Sequence, residues 1–165
     1  MNHDLTGRKS PPIVAVAVAA VSGLGACGLA TAPGDDPSGK QEVASEGVRI
    51  SVPAEWPRNA VKCGTPVRDT YVVDLDIVAG CSLTPAPRVD YAEIRRSRDL
   101  ARDPVAAIAT DQGDAAGHPV RRGGDVLPDG RTRRVVVVAD QRVVVIAVAD
   151  DPADADAIAR SLRVD

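Results

Sequence analysis

The sequence predicts a small α+β domain, a mostly antiparallel sheet with a Val-rich C-terminal hairpin and a closing C-terminal helix, and three observations carry that expectation. Val48-Arg49-Ile50-Ser51-Val52 alternates apolar and polar residues with the period of a half-buried strand. Arg134–Ala139 and Arg142–Ala149 are two Val-rich runs separated by Asp140-Gln141, and β-branched residues at this density favour strands. Asp151-Pro152 then opens a segment in which Ala155, Ile158, Ala159 and Leu162 fall on one helical face.

Taken in order, the elements begin with an address. Met1–Ser10 is polar and ends in Arg8-Lys9, and Ile13–Ala20 is an uncharged Val/Ala run that leads into the small residues Ser22-Gly23-Leu24-Gly25-Ala26. A basic start, a short apolar stretch and small exit residues are the layout of a secretory signal. Leu24-Gly25-Ala26-Cys27 then resembles the lipobox of bacterial lipoproteins in all four positions. The resemblance implies a diacylglyceryl group on the Cys27 sulfur and cleavage before it, so that residues 1–26 are removed and the chain is held at the outer face of the cytoplasmic membrane. Two acyl chains suffice for stable anchoring, since each buried methylene contributes roughly 0.8 kcal/mol. An uncleaved membrane helix is the competing reading, because the 20 residues Ile13–Ala32 carry no charge. Gly28–Gly47, with its Pro, Gly, Ser and Asp and no apolar period, is expected to be a disordered tether. Residues 27–47 thus form the lipidated Cys and tether, and residues 48–165 a single folded domain.

Within that domain Val48–Val52 is the opening strand, ended by Pro53, and Trp56-Pro57 belongs to the following turn. Thr70–Asp74 reads as a second strand and Val78–Leu83 as a short return. Val89–Arg96, with Tyr91, Ala92 and Ile94 among charges, reads as an outer or edge strand. Asp103-Pro104 suits the cap and first position of a short helix over Val105–Ile108. His118–Arg122 is expected to be a strand before a loop over Gly123–Gly130. Four successive valines, 135 to 138, cannot share one side of a strand, so both faces of the hairpin must be covered. In the final helix Asp154 and Asp156 lie near the start and Arg160 and Arg163 near the end, which complements the helix dipole.

The order of these elements, with the Val-Pro-x-x-Trp turn at residues 52–56 and the ending Ile158-Ala159-Arg160-Ser161-Leu162, resembles the PsbP-like fold used by exported actinobacterial lipoproteins of the LpqN family. That resemblance covers roughly Val48–Val164 and implies a non-catalytic binding or assembly factor.

Cysteine usage agrees with export. Once Cys27 is assigned to lipid, Cys63 and Cys81 remain, 18 residues apart, and an oxidising compartment allows them to pair. A closed loop of that size is worth about 3 kcal/mol in the chain-entropy picture. Neither has a neighbouring His or a C-x-x-C spacing, so a metal site and any other cofactor are not expected.

Other chemistry is thin. The net charge of −3 excludes general affinity for nucleic acid, and aromatics at 2 %, namely Trp56, Tyr71 and Tyr91, exclude a base-stacking platform. His118 stands alone in a Gly-His-Pro context without a G-x-S-x-G elbow. Asp74 and Asp76 are two apart on an extended segment and are the carboxylates a small envelope hydrolase would use. The acidic helix start, Asp150 to Asp156, lacks the Gly and terminal Glu of a calcium loop and reads as capping. Two basic groups, Arg95-Arg96-Arg98-Arg102 and Arg121-Arg122 with Arg131-Arg133-Arg134, are interspersed with aspartates and read as a mixed-charge face rather than an anion patch. The function expected is therefore a membrane-anchored module that binds an envelope protein, lipid or glycan. The alternatives are the carboxylate hydrolase and an accessory subunit whose disulfide responds to redox state.

Overall fold

The structure is a computed structural model that describes residues 39–75 and 87–165. It holds eleven strands and one α-helix among the described residues, and the α+β class follows directly. Strand β1 (Lys40–Ser45) pairs antiparallel with β2 (Val48–Pro53), and the short β11 (Arg163–Val164) pairs with the other edge of β2. β3 (Val61–Lys62) and β4 (Thr65–Pro66) form a two-stranded ribbon. The main sheet has six strands in the order β5-β6-β10-β9-β8-β7. These are β5 (Thr70–Val73), β6 (Tyr91–Arg96), β7 (Ala109–Ala115), β8 (His118–Val126), β9 (Thr132–Val138) and β10 (Val143–Ala149). Only β5 and β6 run parallel; the other neighbours are antiparallel.

The ribbon β9–β10 is the centre of the core. All seven residues of β10 and all four valines of β9 are buried. Their side chains divide by parity. Val136, Val138, Val143, Val145, Ala147 and Ala149 pack with Val48, Ile50, Val52, Ala92, Ile94 and Trp56, and with Ala155, Ile158, Ala159 and Leu162 at the helix end of the chain. Val135, Val137, Val144, Ile146 and Val148 pack on the other side with Ala106 and Ala109, flanked by Tyr91, Leu100, Val105 and Ile108. One face is thus covered by the three-stranded sheet and helix α1 (Pro152–Arg160), the other by the segment that connects β6 to β7.

The helix begins where the sequence places it. The Asp151 side chain accepts from the backbone N–H of Ala153 at 2.8 Å and Pro152 occupies the first turn, where its missing N–H costs nothing. Ala155, Ile158 and Ala159 form its buried stripe.

Several boundaries differ from the sequence expectation. Lys40–Ser45 is a strand, so residues 40–47, expected as part of the tether, belong to the folded domain. Only Val43 of that strand is buried, which leaves no apolar alternation to read; the pairing is imposed by the turn at Glu46-Gly47, whose φ values of 54° and 79° are those of a two-residue hairpin. Ala116-Gly117, at 54° and 86°, makes the same turn between β7 and β8. It recruits β7, a mostly exposed strand that sequence patterning does not signal. Val89–Arg96 is not an edge: β6 lies between β5 and β10, and its charged residues are accommodated beside the covering segment. Gly123–Val126, expected as loop, continues β8. The short helix is a 3-10 turn, Ala106–Ile108. Val78–Leu83 lies outside the described residues.

Burial on both faces makes a paired prediction. Ile94→Ala on the helix side and Ile146→Ala on the opposite side should each cost about 2–5 kcal/mol in denaturant unfolding. A face open to water would instead give a change near zero for its isoleucine.

Candidate functional site

Of the residues singled out from the sequence, Cys27 and Cys81 lie outside the described residues. Cys63 sits at the tip of the β3–β4 turn and is disulfide-bonded. Asp74, at the end of β5, has both oxygens engaged: Oδ1 accepts from the Ser45 hydroxyl at 2.8 Å and Oδ2 from Arg58 at 2.9 Å. Asp76 lies outside the described residues. His118 opens β8, and its Nδ1 is 2.7 Å from Asp140 Oδ2, tying that strand to the β9–β10 turn. The His118 hydrogen bond holds the Asp140 carboxyl below its usual range. The acidic helix start is used locally: Asp151 caps, Asp150 pairs with Arg88 at 2.7 Å, and Asp156 accepts from Arg134 at 2.5 Å. No group of three His, Cys, Asp or Glu that could hold a metal ion occurs among the described residues.

The two basic groups do not merge into one patch, because most of their members are paired. Arg96 meets Glu46 at 2.6 Å, Arg102 meets Asp99 at 3.6 Å, Arg131 meets Asp129 at 2.7 Å and Arg133 meets Asp125 at 2.6 Å. An exposed pair such as Arg102–Asp99 contributes little to stability, whereas Arg131 is itself buried. The effect of the pairs is to cancel charge.

Asp103 is different, because only 8 % of it is exposed. Its Oδ2 is 2.7 Å from Arg95 Nη1, while Oδ1 accepts from Arg95 Nη2 at 3.0 Å and from the backbone N–H groups of Val105 and Ala106 at 3.0 and 3.2 Å. The Arg95 contacts clip the covering segment to β6, and the two backbone donors fold that segment's own turn around the carboxylate. Burial alone would raise the carboxyl, but the hydrogen bonds from Arg95, Ala106 and Ser97 outweigh it and bring the pKa down to about 2. Neighbouring Glu93 goes the other way. Burial pushes its carboxyl up, the Arg95 charge opposes that and the Asp103 charge adds to it. No sequence pattern marks this pair of carboxyls around one guanidinium, since Asp103 comes from a turn seven residues past Arg96.

One cleft lies at the C-terminal half of α1, above β7, β8 and β9. It has a volume of about 350 Å³ and is lined by Asp111, Arg122, Gly123, Gly124, Arg134, Val136, Asp156, Ala159 and Arg160. Register explains the grouping: Asp111 faces Arg122 across β7–β8, Arg122 faces Val136 and Gly124 faces Arg134 across β8–β9. A Cβ on Gly123 would run into the Ile108 carbonyl oxygen, and one on Gly124 into the Arg133 carbonyl and the stem of Arg134. Three guanidinium groups from three elements therefore share the space with two carboxylates. Asp156 is held below its usual range by the Arg134 hydrogen bond, with Arg160 adding to the effect from 3.9 Å. Arg122 has no carboxylate partner among the described residues; its Nη1 donates to the Ala159 carbonyl at 3.3 Å.

Comparison with protein-family models, with curated proteins and with solved structures finds no match to this chain. Among the described residues no helix is long and apolar enough to cross a membrane.

The Asp103 clip gives a pH prediction. Its folded-state pKa lies below the ordinary carboxylate value of 3.8, so its contribution is complete above about pH 4 and is lost as pH falls towards 2. The difference corresponds to about 2 kcal/mol. Unfolding free energies measured between pH 5 and pH 2 should fall by that amount more in the parent chain than in Asp103→Asn, which should already be destabilised at pH 5. Equal pH slopes in the two proteins would remove Asp103 from this role.

Proposed function

We propose that this chain is an exported lipoprotein, anchored to the outer face of the cytoplasmic membrane by a diacylglyceryl group on Cys27, whose folded domain binds an envelope component without catalysing a reaction. The observation that carries the reading is Leu24-Gly25-Ala26-Cys27, a complete lipobox behind a basic start and an apolar run. A disulfide at Cys63 supports an oxidising compartment. The resemblance to the LpqN family points to a binding or assembly role. Binding is favoured over hydrolysis by the state of Asp74, whose two oxygens are taken up by Ser45 and Arg58 rather than left for a substrate.

Anchorage fixes where such a domain would work. Twelve residues, 28–39, separate Cys27 from β1, and a chain of that length spans at most about 40 Å fully extended. The folded part would thus stay within one domain diameter of the headgroups. Ligands within its reach are lipid headgroups, surface glycans and the outer portions of membrane proteins.

Intact mass of protein extracted from membranes tests the anchor. The expected species begins at Cys27 with a thioether-linked diacylglyceryl group, takes up labelled palmitate, and is replaced in Cys27→Ala by an unlabelled chain that retains residues 1–26. An unmodified parent chain beginning at Met1 would contradict the proposal.

A further inference from the structure

The cleft beside the C-terminal half of α1 has a charge pattern unlike the rest of the surface. Elsewhere most arginines of the two basic groups are matched to carboxylates. Here Arg122, Arg134 and Arg160 face only Asp111 and Asp156, so the cleft keeps a net positive charge. Asp156 is shared by Arg134 and Arg160, and the latter is a long 3.9 Å contact from a side chain that is 70 % exposed. Arg122 spends one of its five donors on the Ala159 carbonyl and is only partly exposed. An unneutralised guanidinium in a concave, partly desolvated place is a strong donor to an oxyanion, because charge-assisted hydrogen bonds gain strength as water is removed.

The donors approach from three sides: Arg122 from β8, Arg134 from β9 and Arg160 from α1. A planar carboxylate is satisfied by one guanidinium in a fork, whereas a phosphate presents oxygens in several directions and matches convergent donors. Neither Gly123 nor Gly124 can carry a Cβ without collision with a carbonyl oxygen, so this part of β8 is fixed by close backbone approach and its position at the cleft is set. Val136 and Ala159 supply an apolar wall for a small carbon body, and about 350 Å³ is at the low end of the range for small-ligand sites.

We infer that this cleft binds a phosphate ester group, with Arg122 as its principal ligand and Arg160 closing over it from the helix. The inference rests on the reading of the domain as a binding module and specifies what it binds; it is independent of how the chain is anchored. The same chemistry is offered by a free phosphate ester and by the headgroup of an anionic phospholipid.

The test uses the full chain purified in a non-ionic detergent, with calorimetric titration of glycerol phosphate, of short-chain phosphatidylglycerol and of acetate. Saturable one-to-one binding is expected for at least one phosphate probe, weakening as salt is raised. Similar affinities for the two phosphates identify a free ester as sufficient, and a preference for phosphatidylglycerol identifies the lipid headgroup. Arg122→Gln should weaken binding about tenfold or more. Arg160→Gln, which removes an exposed side chain and leaves the core untouched, should weaken it severalfold, and Arg163→Gln on β11 should leave it unchanged. Absence of saturable phosphate binding, acetate binding as tightly as the phosphates, or affinities indifferent to both Arg122→Gln and Arg160→Gln would overturn the assignment. Palmitate labelling of the same preparations separates the two proposals: labelled protein that fails to bind phosphate refutes the cleft alone, and unlabelled protein that binds it refutes only the anchor.

Discussion

Seven consecutive residues of β10 are buried, and the four valines of β9 beside them are buried as well, so this ribbon has to be covered twice. A strand presents alternate side chains to opposite faces, and Val and Ile left in water on either face would forfeit roughly 1.5–3 kcal/mol each. The two covers are made differently. On one side the chain uses its ends, with the β1–β2–β11 sheet and helix α1 meeting over Val136, Val145 and Ala147. On the other it uses one irregular segment between β6 and β7, which packs Ala106 with Leu100, Val105 and Ile108 on the sheet and is also tied to β6 through the buried Asp103. The helix is secured by packing, the irregular segment by packing and by the Asp103–Arg95 salt bridge.

The cleft follows from how the helix lies on its face. Buried Ala155, Ile158 and Ala159 bring α1 down onto β9 and β10, and its last turn leaves a gap beside β8, where the Arg122 guanidinium donates to the Ala159 carbonyl. Arginines border that gap because the neighbouring register positions, 122 and 134, are the ones that point towards the helix side of the sheet. Basic groups at a helix C-terminus also suit its dipole, and the Ala159 carbonyl there holds the Arg122 guanidinium at the cleft edge.

Much of this architecture is legible in the sequence because its signals are dense. Val135–Val138 and Val143–Val145 announce a buried ribbon, and Asp151-Pro152 announces a helix start. What is illegible has a common cause: it is imposed by partners distant in sequence or by turns. β1 has one buried residue and exists because Glu46-Gly47 folds it back on β2. β7 is recruited by β8 in the same way. β6 reads as an edge because Glu93 and Arg95 interrupt its apolar pattern, and only the return of Asp103 makes those charges tolerable in the middle of a sheet. For the cleft, Arg122 and Arg134 are visible as members of a basic group, but which arginines are cancelled depends on aspartates such as Asp156, 22 residues from Arg134. Gly123-Gly124 reads as a loop because glycine weakens a strand. Here it marks a close backbone approach instead.

The helix laid across the ribbon leaves, at its C-terminal end, the cleft inferred to bind phosphate. Backbone amide shifts followed during titration of the full chain with glycerol phosphate test that inference most directly. The predicted result is a set of saturating shifts centred on Arg122, Gly123 and Gly124 of β8 and on Ala159 and Arg160 of α1. Shifts centred instead on the arginines of residues 95–102, or no saturating shifts at any amide, would contradict it.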